Sequence, residues 1–334
     1  MSLADQLLAE IAGLEGRPYE EIGVPAFFIG EDSSRPSKTG DSPTGAAFAK
    51  LAGALASRKT DLKMGDIGQL MEVFAARDFP EFAPGNPIAR VIDDATLAAA
   101  PTLPLPEGTS PALGDLVAGM SSPHAIRAVN IHATPSYRAD EFRRQIAAYA
   151  EAYEPITPAN FDAAVAGDWP HDRPGLMPLL FEGFRDNYDV MLPILEENGF
   201  TGWFMVPSIF PGMAAEEQRP FAAAHELEPA LTEEYAGERM AITWAEARDI
   251  KARGHAFGCH SRHHVHLKPD TPLAELEDEI ITAKAEMEAG LGTPVDIFCW
   301  LGAAALGVNP EADRLLREAG FRYLVSAFKI QKIQ

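Results

Sequence analysis

The chain is poor in cysteine and in basic residues, and both shortages exclude classes of protein. Its 334 residues include only two cysteines, Cys259 and Cys299. Two cysteines are too few for a disulfide framework and suit a reducing compartment, so we expect each to be a buried thiol. Lys and Arg number 28 against 49 Asp and Glu, which gives a net charge of −21. This balance argues against binding to nucleic acid phosphates or anionic lipid and favours a neutral or cationic substrate.

Long apolar runs are also missing. No run approaches the length that crosses a bilayer, and the amino terminus has no basic stretch followed by an apolar core. We therefore expect no membrane span and a cytoplasmic location. The chain does have 46% hydrophobic residues, which is enough for a substantial core in one large or two ordinary domains.

Helix-breaking residues divide the chain into two unequal parts. The stretch 101–123 is rich in Pro, Gly and Ser, which is typical of a linker. Residues 1–100 before it have no role that the sequence reveals, although two helices are plausible at 46–55 and 66–76. Residues 124–334 form the second part, in which we expect the function to reside.

In this second part, short apolar runs alternate with amphipathic stretches, a pattern typical of βα units around a parallel sheet. The predicted strands are residues 128–131, 176–181, 202–206, 255–259, 295–299 and 323–326. Between them, four capping signals predict helix starts: Thr157-Pro158, Thr271-Pro272, Asn309-Pro310 and the capping box from Thr243 to Glu246. The acidic, Ala-rich segment 214–240 is long for a βα connection, and is either a lid or binding loop or a solvated excursion.

Histidines supply the clearest chemical signal. Five of the nine fall within residues 255–266, and two of these, His260 and His264, directly follow a predicted strand. Two imidazoles four positions apart can converge on one cation. The carboxyl ends of strands are also where α/β proteins build their sites. The sequence therefore predicts a metal site at His260 and His264.

Glu182 is the candidate third ligand, because it ends the predicted strand 176–181 and is followed by Gly183, which allows a sharp turn. An ionised carboxylate at the end of a buried strand must be paired or metal-bound. Two histidines and one carboxylate suit Zn²⁺ but also non-haem Fe²⁺, so the ligand set alone does not name the reaction. His132, at the end of the first predicted strand, either reaches the same cleft or is a hydrogen-bonded structural histidine.

These motifs carry a resemblance to a known family. The run His260-Ser261-Arg262-His263-His264, followed by Leu267, matches the His-Ser/Thr-x-x-His motif of NodB-type polysaccharide deacetylases (carbohydrate esterase family 4). The runs 184–188, 192–195, 315–323 and 129–132 also resemble that family, so the resemblance covers about residues 125–330. It implies an α/β fold, a deacetylase-like distorted (β/α) barrel, with an additional N-terminal region.

The resemblance also implies a reaction. Glu182, His260 and His264 would hold a divalent metal, with zinc the first choice, for hydrolysis of an N-acyl (N-acetyl) or related non-peptide C–N bond. The substrate would be a carbohydrate or a small acylated molecule. Separately from the resemblance, Trp300 either offers a stacking face to a sugar ring or is a core aromatic, and Arg185 is a second candidate for substrate binding.

One acid of the family pattern is missing. The family's strand end carries two aspartates before a glycine, a base and a metal ligand, and in this chain these positions hold Phe181 and Glu182. The family's third motif also lacks its Arg and Pro in the run 296–302. Glu182 and His132 are therefore the catalytic candidates. The alternative is a catalytically impaired relative that binds a glycan or a partner.

Overall fold

A mixed β-sheet of nine strands organises the molecule. The computed structural model describes residues 24–31, 126–166, 168–173, 175–227, 238–301, 304, 306–325 and 329–333. The strands are β1 (Val24–Glu31), β2 (Ile126–Ile131), β3 (Glu154–Pro155), β4 (Gly175–Phe181), β5 (Trp203–Val206), β6 (Ala256–Cys259), β7 (Ile297–Cys299), β8 (Tyr323–Val325) and β9 (Lys329–Lys332). All six predicted strands are present, with ends that differ by at most two residues.

The sheet curls on itself. Its strand order is β2-β1-β9-β8-β7-β6-β5-β4-β3, and β2 also pairs with β4. The strands run parallel except that β9 is antiparallel to both β1 and β8. The α/β class and the curled, barrel-like sheet that the sequence predicted are therefore confirmed. One strand, β1, belongs to the segment 1–100 but pairs with β2 and β9 of the second part. The boundary of the second part at residue 124 stays a prediction.

Eight α-helices alternate with the strands of the described part of the chain. They are α1 (Ala139–Ala152), α2 (Phe161–Ala166), α3 (Leu192–Glu197), α4 (Ala215–Ala224), α5 (Trp244–Ala252), α6 (Leu273–Glu277), α7 (Ala283–Leu291) and α8 (Pro310–Ala319). Two π-helical turns interrupt this pattern, Asn187–Met191 before α3 and Asp278–Thr282 between α6 and α7. Such turns insert an extra residue into a helix and often lie at functional sites.

Two of the four predicted helix starts are confirmed. The Asn309 side chain accepts the N–H groups of Glu311 and Ala312 at the start of α8, and Thr243 and Glu246 form the capping box of α5.

Of the other two, the start at Thr157-Pro158 is wrong, and the start at Thr271-Pro272 is one residue early and lacks the predicted Thr271 cap. The hydroxyl of Thr271 accepts the N–H of Lys268 instead, and α6 begins after Pro272. The Thr157 N–H donates to the Asn160 side chain, which forms a turn that delays α2. In both places a local side-chain turn competes with the helix cap.

Two apolar layers flank the sheet. Alternate residues of β4 divide between them, since Leu176 and Leu180 face the helices while Met177, Leu179 and Phe181 join the other layer. Residues of α2 belong to that second layer as well. This alternation is the two-residue period of a strand that is buried on both faces.

The cysteines lie within these layers. Cys259 and Cys299 are buried free thiols, as predicted. Burial raises the pKa of Cys299 to about 12, so the thiol stays protonated and is a poor nucleophile.

Some predictions concern other parts of the chain. Within the described residues, no helix has both the length and the apolar character needed to cross a membrane. The predicted helices at 46–55 and 66–76 and the linker at 101–123 lie outside the described residues.

Candidate metal centre

Four side chains that the sequence singled out meet at the carboxyl edge of the sheet. His132 follows β2, Glu182 follows β4 and His260 follows β6, while His264 lies one turn beyond. All four are at least 95% buried. Because β2, β4, β5 and β6 pair in parallel, the residues after their last positions are brought to the same edge of the sheet.

Glu182 lies at the centre of this group. Its Oε1 is 3.8 Å from Nε2 of His132 and 3.8 Å from Nε2 of His264. The rings of His260 and His264 are perpendicular, with centroids 4.7 Å apart. The structure therefore brings together the three predicted ligands, and it places His132 beside the same carboxylate.

The hydrogen bonds of two rings determine which nitrogen carries the proton. Nδ1 of His260 lies 2.9 Å from the carbonyl oxygen of Cys299, and Nδ1 of His264 lies 2.6 Å from that of His225. A carbonyl only accepts, so both Nδ1 atoms carry the proton and donate. Nε2 of each ring then keeps its lone pair, which is the usual arrangement of metal-binding histidines.

These observations fit a divalent cation. Two neutral imidazole nitrogens and one carboxylate oxygen, all buried, form a donor set that zinc prefers. Glu182, His260 and His264 are therefore the residues that would hold the metal.

Strained backbone marks the same residues. Glu182, Ser261 and His264 have positive φ values of 73°, 59° and 61°. Such a conformation costs a non-glycine residue about 1–3 kcal/mol and is retained mainly at functional sites. Gly183 also has a positive φ, and a Cβ there would lie 2.8 Å from Val206, which explains why glycine follows Glu182.

Phe181 holds the position at which the family resemblance predicts an acid. Its ring stacks on the His132 ring at 5.4 Å and meets the His260 ring edge-on at 5.3 Å. The residue is 9% exposed and belongs to the apolar layer of the sheet. An apolar ring therefore separates two of the histidines where the family pattern has a carboxylate.

A second cluster of metal-binding residue types lies nearby. Among the residues that the structure describes, one group brings three ligand atoms within 4.8 Å of one another, formed by His263, Asp278 and Glu279. The predicted ligands Glu182, His260 and His264 are more widely spread than this group. However, the guanidinium of Arg262 donates twice to Asp278, so a positively charged side chain already neutralises this carboxylate.

Glu279 instead anchors the histidine loop. Its Oε2 accepts the backbone N–H groups of Arg262 and His263, and its Oε1 lies 2.6 Å from Nδ1 of His263. The side chain is almost fully buried and belongs to the second π-helical turn. It thus holds the segment between His260 and His264, which contains the strained Ser261.

We expect Glu279→Ala to loosen this loop. Removing the acceptor leaves two backbone N–H groups without their bonds, which costs about 1–3 kcal/mol, and zinc binding weakens as His264 loses its position. Denaturant unfolding and zinc titration measure the two effects. Asp278→Asn is the matched control, because Asp278 lies in the same π-helical turn but bonds to the Arg262 side chain rather than to the loop backbone. Equal loss of zinc affinity in both variants would identify the second cluster as the binding site.

Asn187, which was not among the predicted site residues, plays a similar part on the other side of the site. Its Nδ2 donates to the carbonyl of His132 at 2.6 Å and to the hydroxyl of Thr134 at 3.1 Å. Asn187 is buried in the first π-helical turn. The contact joins residues 55 positions apart, so only the pairing of β2 with β4 brings them together. A buried amide that follows the Gly183 turn was the available signal.

The two predicted substrate-binding residues have other contacts in the structure. Trp300 is 2% exposed and packs against Phe298 in the layer under the helices, which fits a core aromatic. The strand period explains this placement, since Trp300 shares the face of Phe298 whereas Cys299 lies on the other. Arg185 pairs with Asp189 and Glu238, so a role in substrate binding stays a prediction.

Known proteins resemble this chain over its second part. Residues 177–324 match the polysaccharide deacetylase family model. Among solved structures, IcaB from Ammonifex degensii is similar at 17% identity with a TM-score of 0.48. The match covers 62% of this chain and 86% of the IcaB chain. The Streptococcus pyogenes deacetylase PplD in complex with acetate has 14% identity, a TM-score of 0.44, and coverage of 59% and 80%. BC0361, a polysaccharide deacetylase from Bacillus cereus, has 12% identity, a TM-score of 0.44, and coverage of 62% and 60%. No curated protein matches the chain.

Proposed function

The chain belongs to the polysaccharide deacetylase family through residues 177–324, and we propose that it is a metal-dependent hydrolase of N-acyl groups. The substrate would carry an N-acetyl or related amide on a carbohydrate or small molecule. The observation that carries this proposal is the buried group of Glu182, His260 and His264, with both Nδ1 atoms engaged by carbonyls. Zinc is the cation that best suits this donor set.

The reaction adds water across an amide bond. The water oxygen bonds to the carbonyl carbon, the C–N bond breaks, and a carboxylate and an amine are released. A bound divalent cation would polarise the carbonyl and lower the pKa of the attacking water. Glu182 holds one position of the site through its turn, while the carbonyl bonds of His260 and His264 keep both Nε2 atoms aimed as ligands.

The water's proton needs an acceptor, because Phe181 cannot serve as one. We assign this role to Nε2 of His132, which lies 3.8 Å from Oε1 of Glu182. An imidazole can accept the proton from water and return it to the leaving nitrogen. His132 also lies at a strand end, as general bases of α/β enzymes commonly do.

We expect His132→Gln to lower acetate release from N-acetylglucosamine oligomers by about 10²–10⁴, the usual contribution of a general base. The assay uses zinc-loaded protein and its chelator-treated counterpart. His266→Gln is the control, because His266 lies close in sequence to the proposed metal ligands His260 and His264 but is half exposed. Full activity in the His132 variant would remove the base assignment. Activity that survives chelation would contradict the proposal that the hydrolase depends on a metal.

A second candidate is a deacetylase-like protein that binds a glycan or partner without turnover. The Phe181 ring between His132 and His260 favours it, since an apolar side chain there can contact a bound molecule but cannot accept the water's proton. Acetate release by the natural chain separates the two functions. A chain that binds zinc but releases no acetate would be the binding protein.

A further inference from the structure

The segment 214–240, which the sequence left as either a lid or a surface excursion, contains an ordered helix end beside the metal centre. Helix α4 occupies Ala215–Ala224, and His225 is its C-terminal cap. The chain then turns at Glu226, which has a φ of 59°. Leu227 returns to the helix through a bond from its N–H to the Ala222 carbonyl. The turn is therefore a helix terminus closed by one left-handed residue.

A buried glutamine ties the two ends of this segment together. Gln218 is 3% exposed, and its Oε1 accepts the N–H groups of Met240 at 2.6 Å and Ala241 at 3.0 Å. Its Nε2 donates to the Met213 carbonyl at 2.9 Å. One side chain on α4 thus forms hydrogen bonds with backbone groups at both ends of the segment. Such bonds fix where α4 lies.

The same segment packs against the loops of the site. Its apolar residues form a cluster with Ala133, which follows His132, and with Phe184, which follows Gly183. The Ile242 N–H also donates to the Gly183 carbonyl at 2.9 Å. The helix end therefore rests on the loops that carry both His132 and Glu182.

The carbonyl of His225 points from this helix end to His264. The last carbonyls of a helix have no partner within it and carry partial negative charge. Here the His225 carbonyl accepts the Nδ1 proton of His264 at 2.6 Å. This one bond gives the helix terminus a hydrogen-bond donor. It also fixes the His264 ring with Nε2 toward Glu182, 3.8 Å from its Oε1.

We propose that the C-terminal end of α4 is a positioning element of the metal centre. The left-handed turn at Glu226 holds the His225 carbonyl, and that carbonyl sets the tautomer and the orientation of His264. The described parts of the segment, residues 214–227 and 238–240, then form a wall of the site rather than a surface excursion. This inference rests on the proposed function only in treating His264 as a metal ligand.

A matched pair of substitutions at Glu226 tests the proposal. Glu226 is exposed, and both variants remove its carboxylate and its contact with the exposed His266. Glu226→Gly keeps the turn, because glycine adopts a positive φ at no steric cost. Glu226→Pro breaks it, because proline fixes φ near −65°. The pair therefore differs in the turn and not in the charge.

Two readouts do not depend on turnover. In metal-free protein at alkaline pH, ¹⁵N NMR of the His264 ring should show one tautomer, protonated at Nδ1, for the natural chain and Glu226→Gly, and a mixture for Glu226→Pro. Zinc affinity measured against a competing chelator should fall about 10- to 100-fold in Glu226→Pro alone, as for other lost partners of ligating histidines.

The outcomes separate this inference from the proposed function. Unchanged tautomer and zinc affinity in Glu226→Pro would overturn the positioning role, and so would an equal loss of affinity in Glu226→Gly. If Glu226→Pro shows both expected effects while the natural chain releases no acetate, the positioning role stands and the hydrolase proposal fails.

Discussion

Replacement of Phe181 by aspartate is expected to raise acetate release from N-acetylglucosamine oligomers above that of the natural chain, and by about 10²–10⁴ when it is made in the His132→Gln variant, which lacks a general base; all variants are loaded with zinc. The new carboxylate would occupy the place of the ring that now lies between His132 and His260. A carboxylate there can take the water's proton more directly than His132 alone. The steady-state rate of acetate release is the measurement.

The substitution also has a structural cost. Removing a buried phenyl ring leaves a cavity worth about 3–5 kcal/mol, and the new acid lies near Glu182. Phe181→Asn shares the cavity and the size of the new side chain but supplies no base, so it is the matched control. Equal rates in the two variants would show that the missing acid does not limit the reaction. A silent natural chain that becomes active only as Phe181→Asp would instead favour the glycan-binding alternative.

Replacement of His260 by alanine is expected to abolish stoichiometric zinc binding. The substitution removes one of three proposed ligands. Loss of a hydrogen-bond partner of a ligand lowers metal affinity by about 10- to 100-fold, and loss of the ligand itself should lower zinc affinity further. The His260 ring is buried and bonded to the Cys299 carbonyl. Metal analysis after dialysis, with competition titration for the affinity, measures the change.

His263→Ala provides the comparison. His263 lies three positions later in the same loop and belongs to the second cluster with Asp278 and Glu279. If zinc binding survives His263→Ala and fails in His260→Ala, the buried site is the metal centre. The reverse pattern would place the metal in the second cluster. Thermal unfolding in the presence of a chelator shows whether either variant is misfolded.

Local patterns predicted much of the fold. The apolar runs after residue 124 located six of the eight described strands that run parallel, because strands buried on both faces read as continuous apolar runs. The Asn309 and Thr243 caps were predictable because each depends on residues at most three positions apart. Strand β3 has only two residues and β9 follows β8 in a short hairpin. Neither gives a periodic signal long enough to detect.

The site was predictable only in part, for the same reason. His260, His264 and Glu182 each directly follow or lie close to a predicted strand end, and parallel strands bring such ends together. The partners that orient them are remote in sequence. The bond from His264 to His225 spans 39 residues and that from Asn187 to His132 spans 55. The burial of Trp300 was not predictable, because the sequence does not say which face of β7 and of the residue after it points toward the helices.

Anomalous X-ray diffraction from zinc-soaked crystals, recorded at the zinc edge, tests the central claim most directly. The account predicts one strong peak bounded by Oε1 of Glu182 and the Nε2 atoms of His260 and His264, with protein ligands about 2.0–2.2 Å from the metal. A peak only at His263, Asp278 and Glu279, or no peak at either group, would contradict it.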